Sequence, residues 1–135
     1  MDMDNNNNGI NFFRCNVCGN TLFAIVDSGV NPDCCAEPMV LLQPNHGGDG
    51  SPKHLPVVNK SGNKLLVRVG GEMHPMNVEH RIEWIAVADG RRVDFERMPL
   101  KGEPIADFTI RDGSEMLKVY SYCNNDGLWE TKVWF

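Results

Sequence analysis

Four of the five cysteines lie near the start of the chain, as Cys15-x-x-Cys18 and the adjacent pair Cys34-Cys35. Four thiolates can form one closed tetrahedral site for iron or zinc. Two disulfides are the alternative, but adjacent cysteines rarely bridge each other without strain, and a reducing cytosol opposes disulfides. The pattern therefore favours a metal site in this stretch, and it leaves the choice between iron and zinc open.

The residues around these cysteines, 10–43, have the size and pattern of a miniature module. Two short β-prone runs, 21–26 and 38–42, flank a turn-rich segment that contains Asp27 and Pro32. So few residues cannot bury a sufficient hydrophobic core. We therefore expect the bound metal to supply much of the folding free energy of this module.

Length and charge exclude several classes of function. The 135 residues suffice for one ordinary domain, or for a small one and a second of about 80–100 residues. The 13 basic side chains are outnumbered by 18 acidic ones and form no basic run, which argues against a nucleic-acid surface. No apolar run reaches the roughly 18–20 residues that a membrane span needs.

The first nine residues, 1–9, are polar and acidic, and we expect them to be a disordered N-terminus. A secretory signal would begin with basic residues followed by an apolar segment. The sequence therefore predicts a cytoplasmic protein, in which thiols stay reduced and clustered cysteines more often mark a metal than disulfides.

A Gly/Pro-rich stretch, 44–52, reads as a linker or loop, and the remainder, 53–135, is strand-like throughout. Short alternating runs are separated by turn signals, and no run shows a convincing helical period. This spacing predicts an all-β chain in which the four-cysteine module precedes an antiparallel β-sandwich of about seven strands. The strand-like runs are 64–69, 81–87, 92–97, 106–110, 116–122 and 129–135.

A second set of metal-binding side chains is spread over the strand-rich part. It consists of His54, the motif His74-Pro-Met-Asn-Val-Glu-His80, and Cys123 at the end of an alternating run. A single histidine is more often structural than a metal ligand. One soft thiolate together with several imidazoles, however, is a donor set that a transition metal prefers.

These motifs, taken in order, resemble those of desulfoferrodoxin, the two-iron form of superoxide reductase, from about residue 12 to the end. The resemblance lies in Cys-x-x-Cys, Cys-Cys, Lys-His-x-Pro, His-Pro-Met-x-x-Glu-His and Tyr-Cys-Asn-x-x-Gly-Leu-Trp. It implies a desulforedoxin-like domain, 10–43, and a neelaredoxin-like domain, 53–135, an immunoglobulin-like sandwich that usually dimerises. One iron would be held in the first domain by Cys15, Cys18, Cys34 and Cys35.

The resemblance also implies a second, mononuclear iron with His54, His74 and His80 as equatorial ligands and Cys123 as the axial ligand. Such a centre reduces superoxide by one electron to hydrogen peroxide at the open position opposite the thiolate. Lys53 matches the lysine with which the family attracts the superoxide anion. The electron donor of the family is typically rubredoxin or a similar small carrier.

Two residues depart from the family pattern. Asp126 stands where the family has a fourth histidine, and Pro52 stands where the family commonly has a glutamate before the lysine. Three interpretations of Asp126 stay open: its carboxylate binds the iron, it points away and leaves a water in that position, or His46 moves in from the Gly-rich loop.

The altered ligand set leaves three hypotheses of function. The first is a superoxide reductase, weakened by Asp126. The second is an iron-binding electron-transfer protein with impaired superoxide turnover, and the third is a zinc-stabilised structural protein on the same scaffold.

Overall fold

The computed structural model describes residues 10–135, and the predicted disordered segment, 1–9, lies outside these residues. The chain divides into two units, of which the first ends at Gln43 and the second begins at Pro44. Within the described residues, no helix is long and apolar enough to cross a membrane.

The first unit is built from very short antiparallel strands. A three-stranded sheet has the order β2-β1-β5, and β3 and β4 form a separate hairpin. A small core of Phe13, Cys15 and Met39 lies beneath these strands, with Leu41 packed against it. The strands are β1 Phe12–Arg14, β2 Thr21–Phe23, β3 Asp33–Cys34, β4 Glu37–Pro38 and β5 Val40–Leu41.

The second unit contains one turn of helix followed by seven strands in two antiparallel sheets. The sheet orders are β10-β7-β6 and β12-β11-β8-β9. The elements are α1 Ser51–His54, β6 Pro56–Ser61, β7 Lys64–Val69, β8 Ile82–Asp89, β9 Arg92–Arg97, β10 Ile105–Thr109, β11 Met116–Cys123 and β12 Gly127–Trp134.

The two sheets of this unit enclose one hydrophobic core. Strand β7 buries every second residue, so that Leu65, Val67 and Val69 face inward, as the period of two along a strand requires. From the other sheet, β11 contributes Leu117 and Val119 to the same core. The predicted all-β fold, a four-cysteine module followed by an immunoglobulin-like antiparallel sandwich, is confirmed.

Two elements had no clear signal in the sequence. Strand β6 begins at a proline and runs into polar residues, so it lacks the alternation by which its neighbour β7 is recognisable. Helix α1 is a single turn with Pro52 in its first turn, where a missing backbone N–H costs no hydrogen bond, and it is too short to show a period. This turn matters because it ends on His54.

Candidate metal centres

The turn from Cys15 to Cys18 is held by backbone hydrogen bonds, one of which reaches a cysteine sulfur. The backbone N–H of Gly19 donates to the carbonyl of Cys15 at 2.9 Å, and that of Cys18 points at the Cys15 Sγ at 3.5 Å. Gly19 has φ +85°, a left-handed conformation that glycine adopts without a steric penalty. The turn therefore directs backbone N–H dipoles toward the sulfur.

The second cysteine pair lies in the hairpin between β3 and β4. Cys34 pairs with Glu37, and the two loop residues, Cys35 and Ala36, have φ of 54° and 63°. Two successive left-handed residues form a type I′ turn, and each costs a non-glycine residue about 1 kcal/mol. The Sγ atoms of Cys34 and Cys35 lie 3.9 Å apart in this loop.

The four sulfur atoms have the spacing of a tetrahedral metal site. A metal–sulfur bond of about 2.3 Å requires edges of roughly 3.8 Å between ligands. The Sγ atoms of Cys18 and Cys34 are 3.6 Å apart, and all four sulfurs lie within 4.8 Å of one another. The donor set therefore fits iron or zinc.

The thiols of this cluster do not ionise alike. The backbone N–H of Cys18 lowers the pKa of Cys15 to about 6. Hydrogen bonding to Cys15 and Cys18 raises the pKa of Cys34 to about 12, because these neighbours favour its protonated form. A metal ion that replaces the shared protons would stabilise four thiolates together.

The second unit brings a different set of donors to one point. His54 ends α1, His74 and His80 lie in the loop between β7 and β8, Cys123 ends β11, and Asp126 lies in the turn before β12. One ligand atom from each of the five lies within 4.8 Å of all the others. Residues up to 72 positions apart in the chain thus form a single cluster.

The nitrogen and oxygen donors lie as neighbours in a square. Two ligands at right angles, each about 2.1 Å from a metal, are about 3.0 Å apart. The His54 Nε2 lies 3.0 Å from the His74 Nε2 and 3.1 Å from the Asp126 Oδ2. The same carboxylate oxygen lies 3.2 Å from the His80 Nε2. Asp126 thus occupies the corner between His54 and His80, diagonally opposite His74.

Backbone carbonyls fix the orientation of two imidazoles. The Nδ1–H of His54 donates to the carbonyl of Gly50 at 2.7 Å, and that of His74 donates to the carbonyl of Pro75 at 2.6 Å. A carbonyl can only accept, so both hydrogens belong on Nδ1. The Nε2 lone pairs are left for a metal, which is the usual arrangement of ligating histidines.

Two asparagines hold the loop that carries His80, and sequence reasoning did not assign them this role. The Asn77 Oδ1 accepts the backbone N–H of Glu79 and of His80, at 3.0 and 2.9 Å. Asn124 accepts the N–H of Arg81 at 2.8 Å and donates to the carbonyl of Glu79 at 3.0 Å. An asparagine three residues before a ligand could have indicated the first, an Asx turn. The second depends on contacts 43 and 45 positions away.

Burial and neighbouring charges set the protonation of the cluster. Burial raises the pKa of Cys123 to about 11, against the backbone N–H groups of Asn125 and Asp126, which favour the thiolate. Burial also lowers the pKa of His74, which favours the neutral imidazole, the form that can bind a metal. For Asp126, burial opposes ionisation, but hydrogen bonding from Cys123 and the adjacent imidazoles lower its pKa overall.

The remaining candidates lie outside the square of donors. The His46 Nε2 lies 2.7 Å from the buried Glu130 carboxylate, and His46 is not part of the five-residue cluster. Lys53 is exposed on α1 and lines a groove together with His74 and Glu103. Pro52, just before it, lies in the first turn of α1.

The chain is similar to several known proteins. A model of the desulfoferrodoxin family matches residues 47–132, more than half of the chain. A desulfoferrodoxin homolog of Archaeoglobus fulgidus is 37% identical over 119 residues, which cover 88% of this chain and 94% of that protein. Desulfoferrodoxin of Nitratidesulfovibrio vulgaris is 35% identical over 128 residues, with coverages of 93% and 98%.

Several solved structures have a fold similar to that of this chain. The superoxide reductase of Treponema pallidum superposes with a TM-score of 0.76 at 25% identity, covering 90% of this chain and 96% of that one. A one-iron superoxide reductase of Giardia intestinalis gives a TM-score of 0.56 at 31% identity, covering 62% of this chain and 98% of that one. With a family model over most of the chain and relatives of this identity over nearly all of it, the protein belongs to the desulfoferrodoxin family.

Proposed function

We propose that this protein is a superoxide reductase that acts at a mononuclear iron held by the His/Cys/Asp cluster of the second unit. The observation that carries the proposal is the set of five donor atoms from His54, His74, His80, Cys123 and Asp126, all within 4.8 Å of one another. Membership of the desulfoferrodoxin family supports iron as the metal, and superoxide reductases are among the structural neighbours.

Each donor has its own role in this proposal. His54, His74 and His80 would hold the iron through their imidazoles, and Cys123 would hold it through its thiolate. Iron bound here would supply one electron to superoxide, and two protons would complete hydrogen peroxide. A Cys123 thiolate bound to the iron would donate electron density to it, as the cysteine ligand does in haem-thiolate enzymes.

In this proposal the Asp126 carboxylate would hold the iron together with the three imidazoles. Its Oδ2 lies 3.1 and 3.2 Å from the Nε2 atoms of His54 and His80, the spacing of neighbouring ligands in a square. Counting ionised ligands, ferrous iron would have a net charge of about zero in this set, compared with about +1 if a histidine stood at this corner. We therefore expect a lower reduction potential and a weaker attraction for superoxide than with four imidazoles.

The exposed ammonium of Lys53 compensates part of this lost charge. It lies one residue before His54 and lines the same groove as His74, so it places a cation beside the proposed substrate position. A cation in this place raises the rate of arrival of a diffusing anion. Pro52 has no ionisable group, so it does not supply an acid or a carboxylate ligand.

We assign the first unit, 10–43, as a desulforedoxin-like domain whose iron is held by Cys15, Cys18, Cys34 and Cys35. The assignment is supported by the 3.6 and 3.9 Å spacings of its sulfurs. Beyond the linker, 44–52, we assign residues 53–135 as the neelaredoxin-like reductase domain. Two irons per chain follow from this assignment, and zinc in the four-cysteine site is the alternative.

The physiological setting is a further part of this proposal. We propose a cytoplasmic homodimer that receives its electrons from a rubredoxin-like carrier. Cysteines that hold a metal suit a compartment in which thiols stay reduced.

An iron-binding electron-transfer protein is the second candidate function. It is favoured by Asp126, whose carboxylate lies at a corner of the square where it removes positive charge from the centre. In this case only the four-cysteine iron would be redox-active, and superoxide would not be turned over.

Rapid mixing of the reduced, iron-loaded protein with superoxide distinguishes these candidates. We expect superoxide to oxidise the iron of the wild-type protein stoichiometrically, and much faster than the iron of the Cys123→Ser variant, which keeps the four-cysteine site. Equal rates for the two proteins would rule out a catalytic centre at Cys123. Zinc in both sites after expression in iron-supplemented medium would contradict both candidates.

A further inference from the structure

We infer that Trp129 is a positioning residue of the His/Cys/Asp centre, which holds His54 and Asp126 in their places relative to each other. This inference rests on the metal centre of the proposed function. It assigns the centre a residue that itself has no metal-binding atom.

Trp129 contacts both residues directly. Its indole ring is stacked on the imidazole of His54, with centroids 5.0 Å apart and planes inclined by 14°. Its Nε1–H donates to the backbone carbonyl of Asp126 at 3.1 Å. One side chain thus connects two adjacent corners of the square, whose donor atoms lie 3.1 Å apart.

The indole of Trp129 is fixed in place by burial and by the pairing of its strand. Trp129 is only 4% exposed and pairs with Ser121 on the neighbouring strand β11. The Ser121 hydroxyl donates to the backbone carbonyl of His54 at 2.8 Å, so strand and ring hold the same histidine. On the other side of β12, the backbone of Asn45 hydrogen-bonds to Leu128 and Glu130, at 2.8 and 2.9 Å.

The imidazole of His54 therefore has two constraints besides any metal. The Gly50 carbonyl fixes its Nδ1, and the indole covers one of its faces. A hydrogen bond at Nδ1 alone still permits the ring to tilt about the line that joins the two partners. Stacking on Trp129 removes this tilt and directs the Nε2 toward the Asp126 carboxylate.

Two substitutions separate the two contacts. Trp129→Phe keeps an aromatic face for His54 but removes the donor to the Asp126 carbonyl, whereas Trp129→Leu removes both. Trp134→Phe is the matched control, because this tryptophan lies on the same strand and is 71% exposed. All variants are prepared as full chains, loaded with iron or, for NMR, with zinc.

The first measurement is the affinity of the Cys123 centre for iron, by competition with a chelator. Residues that orient metal ligands typically account for 10–100-fold in affinity. We expect a loss of roughly this size in Trp129→Leu, a smaller loss in Trp129→Phe, and none in Trp134→Phe. The absorption of the Cys123 centre is obtained by subtracting the spectrum of Cys123→Ser protein.

The second measurement reports geometry rather than stability. In the zinc-loaded full chain, ring protons of His54 should show an upfield NMR shift from the indole current, retained in Trp129→Phe and lost in Trp129→Leu. In the iron form of Trp129→Phe, we expect the thiolate-to-iron absorption to shift, because the Asp126 turn has lost a hydrogen bond.

If the Trp129→Phe variant had the same iron affinity and absorption as the wild-type protein, the proposed role of the Nε1–H donor would be overturned. An unshifted His54 ring in the wild-type protein would overturn the stacking contact, even if Trp129→Leu failed to fold. Absence of superoxide turnover in the wild type would count against the proposed function instead, since affinity and ring shifts still decide the role of Trp129.

Discussion

At the scale of single residues, Asp126 has the largest effect on the chemistry of the proposed centre. Its carboxylate lies between two imidazoles and 3.5 Å from the Cys123 Sγ. An anion at this corner neutralises charge that would otherwise attract superoxide and stabilise the reduced metal. Replacement of this one residue should therefore change the rate without a change of fold.

We predict that Asp126→His increases the second-order rate constant for superoxide by roughly tenfold or more, because it restores one positive charge at the centre. Rapid mixing at low ionic strength measures this rate. The matched control is Asp126→Asn, which removes the carboxylate charge and keeps its shape, and we expect an intermediate gain. A rate that is unchanged in both variants would mean that the equatorial corner does not limit the reaction.

A second prediction concerns His46, the histidine outside the cluster. Its Nε2 lies against the buried Glu130 carboxylate at 2.7 Å, and so we expect no role in metal binding. The substitution His46→Gln keeps a nitrogen donor for Glu130 and should leave the thiolate-to-iron absorption and the iron affinity unchanged. A shifted absorption band in this variant would show that His46 reaches the metal, as the third interpretation of Asp126 requires.

At the scale of elements, helix α1 and the loop after β7 are fastened to each other by their backbones. The N–H of Gly70 donates to the carbonyl of Leu55, and the N–H of Glu72 donates to that of Pro52, both at 2.9 Å. One of these segments carries His54 and the other leads to His74. Their close approach requires a residue without a side chain at position 70.

We predict that Gly70→Ala destabilises the second unit by about 2–4 kcal/mol. Its φ is +81°, and a Cβ would lie 2.5 Å from the backbone carbonyl oxygen of Lys53, which cannot move without the helix. Thermal or denaturant unfolding measures the loss in the free energy of unfolding. A chelator competition should show weaker iron binding at the centre that contains His54 and His74.

The neighbouring Gly71→Ala substitution is the control for this effect. A Cβ at that position would have its nearest neighbour, the Pro52 carbonyl oxygen, at 3.9 Å, an ordinary contact distance. We expect a change in the free energy of unfolding within about 0.5 kcal/mol. Equal losses in the two variants would contradict the proposed backbone clash.

At the scale of the whole molecule, the two units differ in what stabilises them. The second unit has a sandwich core drawn from both sheets, whereas the first unit buries only five apolar side chains among its described residues, one of them a metal-site cysteine. A core of this size cannot by itself offset the entropy of ordering the chain. We therefore expect the first unit to depend on its metal.

We predict that Cys18→Ser lowers the iron content from about two to about one per chain and unfolds the first unit. Hydrogen exchange should show fast exchange throughout residues 10–43, with protection retained in the strands of residues 44–135. Cys123→Ser is the control, since it should remove the other iron and leave residues 10–43 protected. A Cys18→Ser protein that stays folded without metal would contradict this prediction.

The sequence alone was sufficient to predict the elements that depend on local pattern. Strands β7 and β9 agree with the predicted runs at both ends, because alternation and Gly turns at their ends are local signals. Most of the candidate donors also follow from the sequence, because thiolates and imidazoles are recognisable from residue type. Strand β6 and helix α1 were not predictable in this way, because their positions depend on pairing with β7 and on the loop after it.

Only the tertiary structure decided how the donors meet. Of the three interpretations of Asp126, the structure places its carboxylate among the imidazoles and His46 on Glu130, which supports the first. The stacking of Trp129 on His54, 75 positions earlier, was equally inaccessible from the sequence. The physical reason is the same in both cases. Chemical type is a property of each residue, whereas a distance of 3 Å between distant residues is set by the packing of two sheets.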